Sequence, residues 1–422
     1  MACAMDMIWV FLLFGTFASA FPQMYQKNEP GYEMGIRNDD PSIEFRGIWL
    51  ATVQNIDWPT SPNLPTSEAR AEIREVVDVV EDLNMNAIFF QVRAHGDAFY
   101  SSTLEPWSRY LTGSEGKAPD PLWDPLQYLI DYAKPKGIQV HAWFNPYRAN
   151  MSPDYEGLAS NSMCFKFRDY CYPYGETMWM DPGSKPVLEY VISIFLDVVN
   201  RYDIDGVHID DYFYPYPIEG SPFPDNATYQ AYLNDGGMLG LADWRRSNTD
   251  KMVEGLWNGI KAVKPEVQFS ISPFGIYRPC QPTGQPCSIS GFDQYSGQYA
   301  DPRKWLHELW CDFMLPQLYW EIDPPQQSYP VLLDWWTGPD ANPHGINIYA
   351  GNAAYKCAQN DWAASEIQHQ VDISRNSGPS SLGNTMFSFN QFRDNVKGLR
   401  DAFKSDQYRN PAIPPSIGNT HV

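Results

Sequence analysis

Eight short β-type runs, each followed by a stretch of helical periodicity, limit most sharply what this chain can fold into. The runs are Glu44–Val53, Ala87–Arg93, Ile138–Asn145, Gly206–Asp211, Val267–Phe274, Asp312–Trp320, Gly345–Ala350 and Thr385–Asn390. Between them lie amphipathic stretches such as Ser67–Leu83, Lys185–Tyr202 and Ala242–Val263. Strand and helix in strict alternation build a parallel sheet, and eight such units close it, so the expected fold is a single (β/α)₈ barrel with extended βα loops spanning residues 43–408. Residues 409–422 are Pro-rich and read as a tail without a core of its own.

Side chains alternate between the helix layer and the lumen along each strand. In the third run Val140, Ala142 and Phe144 take the helix side, so His141, Trp143 and Asn145 face inward. In the fourth, Val207 and Ile209 face the helices and His208 and Asp210 the lumen, while Gln91 and Arg93 point inward from the second and Ser270 and Ser272 from the fifth. Gln317 shares its parity with Glu321. Polar inward positions gathered at strand C-termini put the expected site at that face.

The first twenty residues carry one apolar run, Met7–Phe17, ahead of Ala18-Ser19-Ala20, which reads as a secretory signal (1–20), with a polar leader over 21–42. No other stretch approaches the ~20 apolar residues of a membrane span. Without Cys3, six cysteines remain, and in an exported chain they suggest the pairs Cys164–Cys171, Cys280–Cys287 and Cys311–Cys357. They lack CxxC or HxxxH spacing, so neither metal nor cofactor is expected. Asn226-Ala-Thr and Asn150-Met-Ser are candidate glycosylation sequons.

Acidic side chains outnumber basic ones 51 to 30, for a net charge of −21, which disfavours nucleic acid and anionic membrane as partners and suits a neutral substrate. The mouth of the predicted barrel collects Asp97, Asp210, Asp211 and Glu321 among Trp143, Tyr147, Tyr212, Tyr319 and Trp320. Carboxylates for acid and nucleophile or base work, set among flat aromatic faces for a pyranose, are what glycoside hydrolysis needs. Asp210, kept ionised by Arg93, is the expected charged carboxylate. Glu321, half-buried beside Tyr319 and Trp320, is the expected acid, and Asp211 the reserve for either role. His141, His208, Asn145 and Gln317 are expected to bind a polysaccharide or oligosaccharide. A non-catalytic glycan-binding barrel and a metal-dependent deacetylase using His141, His208 and Asp210 are the rival readings.

Several motifs resemble those of the glycosyl hydrolase-like family ten: Phe45-Arg-Gly-Ile-Trp-Leu50, Gln91-Val-Arg93 with Gly96-Asp-Ala-Phe-Tyr-Ser101, Glu105-Pro-Trp-Ser108 with Leu111-Thr-Gly113, His141-Ala-Trp-Phe-Asn-Pro-Tyr-Arg148, Asp205-Gly-Val-His-Ile-Asp-Asp-Tyr-Phe-Tyr-Pro215, Ser272-Pro-Phe-Gly275 and Pro316-Gln-Leu-Tyr-Trp320. The resemblance runs from about Glu44 to about Lys404 and implies a (β/α)₈ barrel that cleaves peptidoglycan glycan strands. It implies roles for Asp210 and Asp211 and places Arg93, Asp97, His141, Asn145 and Gln317 in the cleft. Glu321 stands outside these motifs. The chain departs from the bacterial pattern at Asp131-Tyr-Ala-Lys-Pro-Lys136, which lacks the usual His, and in the cysteine pairs of the loops after the third and fifth strands.

Overall fold

The computed structural model describes residues 42–417, Pro325 excepted, so the expected signal (1–20) and most of the expected leader lie outside the described residues. Eight parallel strands close a barrel: β1 (Phe45–Leu50), β2 (Ala87–Arg93), β3 (Gln139–Phe144), β4 (Gly206–Ile209), β5 (Gln268–Ile271), β6 (Phe313–Met314), β7 (Asn347–Asn352) and β8 (Ser381–Met386), with β8 pairing back onto β1. The principal outer helices are α1 (Thr66–Asp82), α2 (Pro125–Ala133), α3 (Lys185–Arg201), α4 (Leu241–Val263), α5 (Pro302–His307), α6 (Tyr329–Thr337), α7 (Ala364–Asn376) and α8 (Leu399–Ser405). In α1 the apolar residues Ala69, Ile73, Val76, Val77 and Val80 fall on one stripe, and all are buried against the barrel.

The lumen is packed. Phe45, Trp49, Phe89, Trp143, Phe313, Leu315 and Tyr349 fill it, with the Phe45 and Tyr349 rings stacked at 4.2 Å. This plug closes the barrel below its C-terminal mouth and leaves only the uppermost inward residues for chemistry.

Strand β8 begins four residues earlier than the sequence suggests, because Gly383 permits close pairing with β1. A Cβ on Gly383 would lie 2.1 Å from the Phe45 carbonyl oxygen. The tail also differs from expectation. Ile413 bridges Ile43, the Asn410 carbonyl accepts from Arg46, and Ile417 packs against the lumen cluster, so residues up to 417 belong to the barrel's floor.

The Cys164–Cys171 and Cys280–Cys287 disulfides form. The third pair does not. Cys311 and Cys357 are buried thiols, because Cys311 precedes β6 at the floor and Cys357 follows β7 at the mouth. The first disulfide staples a three-stranded antiparallel sheet (Arg148–Asn150, Thr177–Met180, Cys171–Tyr174) built in the long loop after β3. Asn150 is wholly buried and donates to the Asp154 carbonyl, so it is no glycan acceptor in the folded chain, whereas Asn226 is exposed at the start of a helix.

Candidate active site

The uppermost inward layer is organised by a hydrogen-bond relay whose polarity the backbone sets. The Thr52 and Val53 amides donate to Gln91 Oε1, which leaves the Gln91 NH₂ to donate to Asn145 Oδ1. Asn145 must then present its own NH₂, and it does so to Asp210 Oδ1 at 2.6 Å. Arg148 reinforces the arrangement, holding the Ala94 carbonyl and Asn145 Oδ1 while its guanidinium lies 4.5 Å from the Tyr212 ring centroid. Asp211, the next residue, accepts from the Tyr216 hydroxyl and from the Gln317 side chain.

Asp210 is 5% exposed and Asp211 4%. Burial, and then the neighbouring charge of Asp211, push the Asp210 carboxyl up to about 7, against the opposing pull of Arg148 and Asn145. Burial raises Asp211 as well, but the Tyr216 and Gln317 donors act against it. Burial thus raises both carboxyls, and the two titrate as one coupled pair that holds a proton more readily than an exposed aspartate does. Tyr319 lies close enough to feel both carboxylates, and Trp320 packs on Phe274 beside them.

Arg93 does not serve Asp210. A register shift between Gln91 and Arg93 re-aims the side chain out of the lumen column, where both donor arms hold Glu105 at 2.6 Å, with both side chains wholly buried. Asp97 closes its own turn, accepting the Ala94 and His95 amides. Tyr147 is core. His141, Trp143 and His208 face inward as expected but sit in the plug below the mouth. His141 stacks on Phe89 at 4.7 Å, and burial pulls it down to about 3. His208 Nε2 accepts the Trp49 indole N–H, so its proton is on Nδ1, 2.9 Å from Ser270 Oγ. With both nitrogens engaged, His208 is not free to ligate, and His141, His208 and Asp210 form no metal site. Among the described residues no cluster of three His, Cys, Asp or Glu has metal-binding geometry.

Glu321 is exposed, not half-buried. Strand β6 ends at Met314, Gln317 makes only isolated bridges, and the parity that linked Gln317 to Glu321 lapses before the chain reaches the rim. Sequence reasoning missed Arg148 and Tyr216 as partners of the pair and treated Gln91 only by its direction. The relay from Gln91 through Asn145 was recoverable, since both share the lumen parity at strand ends.

Residues 44–368 match the model of the family described as Glycosyl hydrolase-like 10. The chain belongs to this family. Among its relatives is the glycosyl hydrolase YngK of Bacillus subtilis (strain 168), 37% identical over 97% of this chain and 78% of that protein. Another is the glycosyl hydrolase DigH of Escherichia coli K12, 35% identical over 82% of this chain and 83% of that protein. Of solved structures, the glycoside hydrolase domain of PgaB from Bordetella bronchiseptica superposes with a TM-score of 0.54 at 13% identity, covering 86% of this chain and 99% of that one. That likeness supports the fold, and in this member of the glycosyl hydrolase-like family Asp210 and Asp211 follow the C-terminal end of β4.

Proposed function

We propose that the chain is a secreted glycoside hydrolase acting on a polysaccharide, with peptidoglycan-type glycan strands as the leading substrate. The observation that carries this reading is the Asp210–Asp211 pair, buried at the tip of β4, where burial raises both carboxyls and Asp210 reaches about 7; in this reading Asp210 holds the proton and Asp211 the charge. Asp210 gives its proton to the leaving glycosidic oxygen, and a carboxyl near 7 is suited to that step at neutral pH. Asn145 fixes one Asp210 oxygen, so the other is the one available to the leaving group. Tyr212, Tyr319 and Trp320, all partly exposed, offer faces for pyranose C–H surfaces. Two disulfides in the mouth loops are compatible with an exported protein.

Purified protein incubated with peptide-free peptidoglycan glycan, chitin, and α- and β-glucans should release reducing ends from the first. Release from none of them refutes the proposal, and binding that survives Asp210→Asn with no turnover in the parent protein would instead identify a glycan-binding barrel.

A further inference from the structure

A proton donor alone does not break a glycosidic bond, because the anomeric carbon also needs an electron pair from its other side. In the usual arrangement a second carboxylate across the sugar supplies it, or activates a water that does. Here the two carboxyls are consecutive residues at one strand tip. Four other carboxylates of the mouth are committed to other partners or out of place. Asp57 is held by the Ala51 and Asn390 amides and the Ser388 hydroxyl, Glu105 by both arms of Arg93, and Asp97 by its own turn. Glu321 stands exposed on the rim.

We propose that the nucleophile is the substrate's own acetamido oxygen, so that the glycan must carry a 2-acetamido group on the sugar whose anomeric bond is cut, with Asp211 holding that group's N–H. This rests on the hydrolase reading above. Asp211 suits the part: Tyr216 and Gln317 grip it as a carboxylate, and a carboxylate accepts the amide N–H that becomes more acidic as its carbonyl attacks. The carbonyl oxygen bonds to C1 as the C1–O bond to the leaving group breaks. The leaving oxygen takes both bonding electrons and the Asp210 proton. Water then adds to C1 and gives a proton to the Asp210 carboxylate, and the bond from C1 to the acetamido oxygen opens, restoring the amide. Two inversions at C1 give net retention.

The test compares one glycan backbone in three forms: native peptide-free strands, the same strands de-N-acetylated, and those re-acylated with trifluoroacetyl groups. An intramolecular nucleophile is worth many orders of magnitude, so weakening it with fluorine or deleting it should cut kcat/KM by at least about a hundredfold. The first product anomer, read by NMR, should retain the substrate configuration, and mass spectrometry of quenched enzyme should find no glycosyl ester. Undiminished cleavage of the trifluoroacetylated or de-N-acetylated strand, inversion, or an ester on Asp211 would overturn the inference. Cleavage confined to 2-hydroxy glucans would overturn it while leaving the hydrolase reading intact, whereas failure on every glycan overturns both.

Discussion

Replacing Asp210 by Asn should make the protein more stable at alkaline pH and leave it nearly unchanged in acid. The ordinary carboxyl value is 3.8 and burial with the Asp211 charge lifts it to about 7. The folded chain therefore binds more protons than the unfolded one between those values, and stability falls as pH rises through that window. About three pH units correspond to about 4 kcal/mol, an upper bound because the site can relax when ionised. Asparagine keeps an oxygen for the Asn145 NH₂ and removes the charge, so the penalty disappears. Urea unfolding of both proteins at pH 4 and pH 8 should show a gain of about 1–3 kcal/mol for Asp210→Asn at pH 8 only. Turnover should be lost in the same variant, the trade between stability and activity typical of a strained site. A loss of stability at pH 8, or an equal gain at both pH values, would refute the electrostatic argument.

Glu105→Gln should cost about 3–5 kcal/mol in urea unfolding, since it strands the buried Arg93 charge, and a loss under about 1 kcal/mol would show that the pair is not desolvated. Arg148→Gln removes the cation that pulls both carboxyls down, so the alkaline limb of the kcat/KM profile should move up by about one pH unit, and an unmoved limb would exclude Arg148 from the electrostatics of the acid. Non-reducing peptide mapping should find the Cys164–Cys171 and Cys280–Cys287 peptides linked, and thiol reagents should reach Cys311 and Cys357 only in denaturant.

The alternation of strands and helices made the barrel legible, and the two-residue period assigned His141, Trp143, Asn145, His208 and Asp210 to the lumen side correctly. Parity gives a side and not a depth. Nothing in the local pattern distinguishes His141 or His208, buried in the aromatic plug, from Asn145 and Asp210 at the mouth. Parity also fails where the ladder does. The register shift at Gln91/Arg93 turns Arg93 toward Glu105, and the early end of β6 puts Glu321 on the rim. The cysteine spacing of seven residues was informative because each short loop brings its own ends together. The remaining couple was assigned by elimination, and its members lie at opposite ends of the barrel.

The central claim is that Asp210 carries the transferable proton and Asp211 the partner charge. Initial rates of reducing-end release from one peptide-free glycan should fall by about 10²–10⁴-fold or more in Asp210→Asn and Asp211→Asn, while Glu321→Gln stays within a few-fold of the parent. Near-parent turnover by Asp210→Asn, or a loss confined to Glu321→Gln, would contradict the account.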